Sequence, residues 1–391
     1  MALVAPDLEG VVGEGLNRRL LSDSPRPIAV ALSGGGDSLA LLLIAAEWSR
    51  LIGRRLVVLT VDHQLRPLSA DWTNTCASIA HRLGLPFRAL AWTGDKPATG
   101  LPAAARAARH ALLAEAASEF GARVILMGHT ADDALEAALM RAQGSSTPEP
   151  WEWAPSPSWP EGRGVFLLRP MLGVRRADLR EWLRARGERW IDDPANDDEG
   201  YARPRARRVI ARGALTSATS PRASAKAFAL AVRPDASGGF EIDRSELRNT
   251  APDALRRFVS AACVCAAGAR RPPARDRVER LAERLTAITP FVATLAGARI
   301  EADTTHACFL REAGEVARGG LAPLSLLAGE TGVWDGRFEI TAERMMEVRA
   351  RPGATKPGTV RDDGSFEAIG ATSLTYDRLL AACGAIEREP T

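Results

Sequence analysis

Lysine is nearly missing from this chain. Of 51 basic residues only three are lysine, Lys96, Lys226 and Lys356, and all the others are arginine. Arginine's planar fork grips phosphate at two points and stacks on bases, so the bias suits an RNA or phosphate partner, and a genome-wide preference for arginine codons accounts for it equally well. Cysteine is also scarce. The five residues Cys76, Cys263, Cys265, Cys308 and Cys383 are odd in number and scattered, which argues against a disulfide framework and offers no four-ligand metal spacing. Long apolar runs are absent: the longest, near Ala40–Ala46, is far short of the roughly 20 residues of a membrane span, and Asp7 and Glu9 stand where a signal peptide carries basic charge. These absences predict a soluble cytoplasmic protein with reduced thiols and no membrane partner. No internal repeat is present, and a net charge of +3 spread over so large a surface excludes little.

What is present is ordinary globular material. The 391 residues are 46% hydrophobic and 25% charged, enough for two or three domains that each bury a core. Short apolar runs at Ile28–Leu32, Leu56–Val61, Phe87–Trp92 and Arg123–Met127 read as strands. The stretches Leu39–Trp48, Ala70–Leu83, Ala103–Phe120 and Ala131–Ala142 have helical length and spacing. This alternation predicts an α/β class, a doubly wound, mostly parallel sheet with helices on both faces, whose strands lack polar alternation because both faces are covered. A last strand, Val165–Leu168, and a helix, Arg175–Arg186, close that domain.

Between them the segment 144–164, "GSSTPEPWEWAPSPSWPEGRG", carries five prolines and three tryptophans and is predicted as loop rather than sheet interior. Trp151, Trp153 and Trp159 either stack on bases or pack the loop onto its own domain. Further on, "DDPANDDE" with five acids gives way to "YARPRARRVIAR" with five arginines and no acid. The Ser/Ala/Pro-rich stretch 214–225 reads as a linker. Ala251–Leu285 reads as two helices parted by "GARRPPARDR", and runs such as "FVATLAGARIEAD" and "THACFLREAG" are strand-like. The expected boundaries are an α/β domain at 1–213, a smaller helical domain at 214–290 and a short α+β region at 291–391.

The most informative stretch is "VALSGGGDSLALL" at 30–42, where an apolar strand ends in Ser33, three glycines follow, and Asp37 and Ser38 enter an apolar helix. Backbone amides face an anion only where no side chains intervene, and a helix N-terminus adds partial positive charge at the same place. Asp37 and Ser38 are expected to cap the helix, and an aspartate there also suits a magnesium ion that accompanies phosphate. A generic glycine turn before a capped helix is the alternative. The turn is neither G-x-x-x-x-G-K-[ST] nor G-x-G-x-x-G, which disfavours a Walker-type NTPase and a dinucleotide enzyme.

"SGGGDS" resembles the pyrophosphate-loop signature of the N-type ATP pyrophosphatases, the PP-loop family, which cleave ATP to AMP and pyrophosphate while adenylating a substrate. "VDHQLRPLSA", "AAARAARHALL", "GHTADDALEAALMR", "LLRPMLGVRRADLREWLRARGERWIDDPAND" and "YARPRAR" follow in the order and spacing of the bacterial tRNA(Ile)-lysidine synthases. The match spans roughly residues 25–212. The resemblance implies a ligase that joins free lysine to the wobble cytidine of an isoleucine tRNA with a CAU anticodon, using ATP and Mg²⁺. It implies that 1–213 is the adenylation domain and that the later domains bind tRNA. The oligomeric state stays open, a homodimer included.

On this resemblance Ser33, Gly34, Gly35, Gly36, Asp37 and Ser38 hold the pyrophosphate, Asp62, His63 and His129 help form the nucleotide pocket, and Asp37 and Asp133 are metal ligands. Asp37, Arg106, Asp132, Asp133 and Glu136 form the catalytic set, with Arg109 beside Arg106 on the same helix. Arg203, Arg205, Arg207 and Arg208 contact tRNA. Each reading has a plainer rival: His63 as a turn residue, the acids as residues that favour a helix N-terminus, and the arginines as partners of neighbouring acids. Asp133 and Glu136, three apart, share a helix face, and Asp132 points about 100° away.

The chain departs from the family where D-D-Q-x-E-T becomes Asp132-Asp133-Ala134-Leu135-Glu136-Ala137 and R-N-R becomes Arg203-Pro204-Arg205. Both changes remove side-chain hydrogen-bonding groups and leave every charge. The nearest rivals are other adenylating enzymes of this loop class. A tRNA thiolase wants cysteines beside the site, where only Cys76 is at hand, and an amidotransferase-type synthetase needs a glutaminase domain. A tRNA-binding relative that has lost catalysis has no need of Asp37, Asp132, Asp133 and Glu136.

Overall fold

The computed structural model describes residues 7–145, 147, 150–158, 164–192, 202–211, 232–248, 250–318, 321–351, 355–360 and 365–390. The chain divides into two compact units, one made of Met1–Ala154, Val165–Pro221 and Glu387–Thr391, the other of Pro155–Gly164 and Arg222–Ile386.

The first unit is built on strands β1 (Ile28–Ala31), β2 (Leu56–Asp62), β3 (Phe87–Ala91), β4 (Val124–Leu126), β5 (Trp153–Pro155) and β6 (Phe166–Leu168), in the order β3-β2-β1-β4-β6-β5. β3, β2, β1, β4 and β6 run parallel to one another, as the crossover helices require. Alternate residues of these strands, Ala29, Val57, Leu59, Ile125 and Leu167, pack with Leu113, Ala114 and Ala117 of helix α4 (Leu101–Glu119). The other set, with Ile28, Val30, Val58, Leu126 and Phe166, is equally buried. Hence the unbroken apolar runs in the sequence.

The remaining helices of this unit are α1 (Leu8–Arg19), α2 (Gly36–Ile52), α3 (Ser69–Arg82), α5 (Ala131–Ala142), α6 (Arg176–Ala185) and α7 (Ala202–Ala211). The proline-rich segment does contain one short strand, β5, but at the sheet edge, where a missing amide hydrogen costs no ladder bond. Trp153 is 2% exposed and serves the core, whereas Trp159 lies outside the described residues. All five cysteines are unpaired. Among the described residues no helix is long and apolar enough to cross a membrane.

Residues 387–390 complete the first unit. Glu389 is buried and meets Arg54 through both carboxylate oxygens, Oε2 to Nη1 at 3.0 Å and Oε1 to Nη2 at 3.1 Å, while Oε2 also accepts the Leu21 N–H at 3.0 Å. The Glu389 amide donates to the Arg19 carbonyl at 2.7 Å.

The second unit carries an antiparallel sheet of β7 (Arg233–Pro234), β8 (Phe240–Asp243), β9 (Phe291–Leu295), β10 (Ala298–Ala302) and β11 (His306–Arg311), in the order β7-β8-β11-β10-β9. β8 pairs with β11 from Phe240↔Phe309 to Asp243↔His306, so this sheet draws on residues from both sides of position 290. α8 (Arg244–Arg248) follows β8, and α9 (Pro252–Ala266) and α10 (Arg275–Thr286) bury Phe258, Val259, Leu281 and Leu285 in the same core as Ile300 and Phe309. Arg244 is wholly buried, yet its guanidinium donates to the carbonyls of Leu285 at 2.9 Å and Arg284 at 2.8 Å. It thereby satisfies acceptors that the end of α10 leaves open. The remainder forms a four-stranded and a three-stranded antiparallel sheet from seven short strands between Leu324 and Ser373, followed by α11 (Thr375–Ala382).

Candidate active site

Parallel strands deliver their following loops to one edge of the sheet, and the strand order reverses between β1 and β4, where open α/β sheets form a crevice. Three of the predicted segments leave the sheet there. Ser33–Ser38 follows β1, Asp62 and His63 end β2, and Gly128–Thr130 follows β4. Gly34 has φ +82°, a conformation that favours glycine, and the Ile191 amide fastens its carbonyl at 2.9 Å. A Cβ on Gly34 would lie 2.4 Å from the Ile191 side chain.

Gly128 presses on the same turn, since a Cβ there would come within 2.9 Å of Ser38 Cα and 3.1 Å of the Asp37 carbonyl carbon. Those are backbone atoms that cannot step aside singly. Gly128→Ala is therefore expected to cost about 1–3 kcal/mol in stability by overpacking, read as a lowered denaturation midpoint; an unchanged midpoint would show that the loop relaxes.

Asp37 and Ser38 do not cap α2 as expected. The N-cap is Gly35, which has no side chain to cap with. Ser38 Oγ instead donates to the Gly35 carbonyl at 2.9 Å and accepts the Ser33 N–H at 3.2 Å, which draws the turn tight. Asp37 thus keeps its carboxylate for other partners, and the first N–H groups of α2 lack intrahelical acceptors by the geometry of any helix start.

The acids of α5 are brought to Asp37 by one arginine. Arg176 donates from Nε to Asp37 Oδ2 at 2.7 Å, from Nη1 to Glu136 Oε1 at 2.9 Å and from Nη2 to Asp133 Oδ2 at 3.2 Å. Asp133 also accepts the Thr130 N–H and hydroxyl, both at 2.9 Å, so it caps α5 as well as facing the cluster. Glu136, 1% exposed, takes a second guanidinium from Arg207 Nε at 2.8 Å, while its Oε2 is buried with no hydrogen-bond partner among the described residues. Asp132 faces another way, accepting the Arg176 amide at 2.8 Å and Arg175 Nη2 at 2.9 Å, and so pins the start of α6 to the start of α5. Burial raises the Asp37 carboxyl above its ordinary range against the pull of Arg176. Burial alone would lower the Arg176 guanidinium, but Asp133 and Asp37 outweigh it and hold it above its ordinary value.

A second, basic group flanks this cluster. Arg106 and Arg109 of α4 lie near His110 and Arg169. Burial, with Arg109 and Arg106 beside it, holds the His110 pKa down at about 2, and both its ring nitrogens are buried without hydrogen-bond partners among the described residues. Arg169, just after β6, donates from Nε to His129 Nδ1 at 3.3 Å and from Nη1 to the Trp151 carbonyl at 2.7 Å. Burial and the arginines of α4 lower its own pKa to about 10. His63 is likewise held below its ordinary pKa by burial and Arg109 and stands edge-on to Trp92, ring centroids 6.0 Å apart. Asp62 Oδ1 accepts the Gln64 N–H at 2.8 Å.

Of the four arginines near 205, Arg207 points into the carboxylate cluster, Arg205 and Arg208 are exposed, and the side chain of Arg203 lies outside the described residues. Pro204 stands in the first turn of α7, where its missing N–H costs nothing. Sequence reasoning singled out neither Arg176 nor Arg169. Both sit in the quoted "LLRPMLGVRRADL", but no local spacing separates them from its other arginines.

The PP-loop domain model matches residues 11–213. The chain is 46% identical to the tRNA(Ile)-lysidine synthase of Caulobacter vibrioides, over 97% of this chain and 98% of that protein. It is 36% identical to the tRNA(Ile)-lysidine synthase of Hyphomonas neptunium, over 76% of this chain and 85% of that one, and 35% identical to that of Brucella anthropi, over 85% and 77%. The glycine turn, the carboxylates after β4 and the match along almost the whole chain agree, and the chain belongs to the tRNA(Ile)-lysidine synthase family of PP-loop proteins.

Proposed function

We propose that the chain joins lysine to the wobble cytidine of an isoleucine tRNA bearing a CAU anticodon, with ATP converted to AMP and pyrophosphate. The observation that carries this reading is the convergence of the β1 glycine turn and the α5 carboxylates on one guanidinium, which sets a phosphate-binding turn beside an acidic pocket for an amine. In the first step the cytidine 2-carbonyl oxygen attacks the α-phosphorus of ATP. An oxygen–phosphorus bond forms, and the bond to the β-phosphate oxygen breaks. Ser33 to Ser38 bind the departing pyrophosphate, and Arg106, with Arg109, His63, Asp62 and His129, lines the nucleotide side.

In the second step the lysine ε-amine attacks C2 of the activated base and AMP leaves. An ammonium has no lone pair to attack with, so Glu136 and Asp133 hold it and take up the proton it must lose, with Asp132 fixing the frame around them. Mg²⁺ would be held by Asp37 and Asp133, hard oxygen donors that both meet one cationic group, Arg176. When bound it supplies positive charge against the leaving pyrophosphate. ATP, lysine and tRNA are cytoplasmic reactants, and the enzyme works there. The 214–290 and 291–391 regions supply further tRNA contacts.

The test is incubation of the full chain with ATP, Mg²⁺, radiolabelled lysine and an isoleucine tRNA transcript with a CAU anticodon. Label entering that tRNA, and not one with a different wobble base, is the expected result; none entering either would overturn the reading. Arg203, Arg205 and Arg208 are assigned to tRNA phosphates, whereas Arg207, expected to join them, is committed to Glu136. Replacing Arg205 and Arg208 by serine is expected to weaken binding and to reduce the slope of log affinity against log salt by about one unit for each phosphate no longer neutralised. An unchanged slope in filter binding would place these arginines elsewhere.

A further inference from the structure

We infer that Arg176 is a positioning residue, a built-in counter-cation that holds Asp37, Asp133 and Glu136 in one cluster and is exchanged for the positive charge of an arriving reactant. The inference rests on the ATP- and lysine-using reading above and names the residue that prepares its acidic pocket. Three nitrogens of one guanidinium reach three carboxylates carried by two helices, at 2.7 Å, 2.9 Å and 3.2 Å. No compact ammonium on a flexible stem makes three such contacts in one plane.

The guanidinium is also delivered to a fixed place. Asp132 accepts the Arg176 amide at 2.8 Å and Arg175 Nη2 at 2.9 Å, so the first turn of α6 is tied to the first turn of α5. Arg176 thus sets the separation between the phosphate-binding turn and the amine pocket.

An independent observation marks the cluster as a place for a further cation. Glu136 Oε2 is buried, its side chain 1% exposed, and no hydrogen bond reaches it among the described residues, although Oε1 takes both Arg176 and Arg207. A buried carboxylate oxygen left unpaired is costly, and a donor or metal reaching it removes that cost. The entering group carries positive charge, either the divalent metal at the Asp37 side or the lysine ε-ammonium at the Glu136 side. Each must compete with a guanidinium already bonded to the same carboxylates. Arg176 therefore weakens cation binding to the protein alone while keeping the carboxylates correctly spaced for turnover, opposite effects that mere packing would not produce.

The experiment compares the full-length protein with Arg176→Gln and Arg176→Lys, each first shown folded by its melting curve. Mn²⁺ affinity is measured by electron paramagnetic resonance and lysine affinity by calorimetry, both without nucleotide or tRNA. KM for lysine and kcat are measured separately in the labelling assay. Arg176→Gln is expected to bind one of the two cations about tenfold tighter, because a bound-state competitor has been removed, while kcat falls at least as much. Arg176→Lys should recover part of kcat, having the charge without the fork. Tighter Mn²⁺ alone identifies the metal as the exchanging group, and tighter lysine alone identifies the ammonium. Folded Arg176→Gln with both affinities unchanged or weakened overturns the inference. Because these titrations need no catalysis, failure of the wild type to make lysidine would count against the proposed function and not against Arg176.

Discussion

Replacing Asp37 by alanine is expected to lower pyrophosphate release by about 10²–10³-fold, the loss seen when one preorganised charge partner of a transition state is removed. The structure argues that this loss is chemical. Asp37 enters α2 in its first turn, but the helix is capped by Gly35 without side-chain help, so the helix start survives the change. The side chain is 20% exposed, and its bond is to Arg176. Removing it leaves Arg176 on Asp133 and Glu136 and deprives the site of its one carboxylate on the phosphate-binding turn. Asp37→Asn, which keeps the shape and one acceptor, should be nearly as inactive if charge is what matters. Melting temperatures within a few degrees of wild type, together with lost pyrophosphate release, are the expected pair of results. An Asp37→Ala protein that releases pyrophosphate at the normal rate would remove this carboxylate from the chemistry.

The second large effect concerns stability and lies far from the site. Glu389→Ala leaves the Arg54 guanidinium buried in the first unit without its carboxylate, both side chains of the pair being 2% exposed. Breaking such a pair from one side costs about 3–5 kcal/mol. The lower end is expected, because Arg54 Nη2 also donates to the Arg26 carbonyl at 3.0 Å. For a unit of this size that loss lowers the melting temperature by about 10 °C. Replacing both partners by methionine and leucine should recover much of it, since a buried ion pair gains little over apolar packing. A Glu389→Ala protein that melts with the wild type would show that the 387–390 segment is not held in solution by this contact.

The parallel sheet was legible because both its faces are covered, so Ile28–Ala31, Leu56–Asp62 and Val124–Leu126 read as apolar runs, and α5 was read to its bounds, Ala131–Ala142. The second unit was harder. Its five-stranded sheet pairs 240–243 with 306–309 across three helices and two strands, a long-range pairing that no local pattern announces. The strands after Leu324 are two to five residues long, too short for an alternation to register.

At the site, sequence spacing placed Asp133 and Glu136 on one face of α5, as found, and set Asp132 apart, also as found. The meeting of that face with Asp37 depends on Arg176, which is 139 residues from Asp37 along the chain. The assignment of Asp37 and Ser38 as caps failed for a physical reason. In so tight a turn the Ser38 hydroxyl bonds the Gly35 carbonyl and the Ser33 N–H, and the Asp37 carboxylate meets Arg176. The reading of the acids as residues that favour a helix N-terminus holds for Asp133, which caps α5 and also meets Arg176.

The central claim is that the glycine turn after β1 serves to activate a base of the tRNA with ATP before lysine reacts. It is tested most directly by mixing the protein, Mg²⁺ and a CAU-anticodon transcript with ATP labelled at the α-phosphate, lysine being withheld, and resolving the products on an acid gel. The account predicts that label joins the tRNA as an adenylate, that it is chased off as AMP when lysine is added, and that Asp37→Ala forms none. A tRNA left unlabelled until lysine is added, with the label then found on lysine, or label recovered as ADP in place of the adenylate, would contradict it.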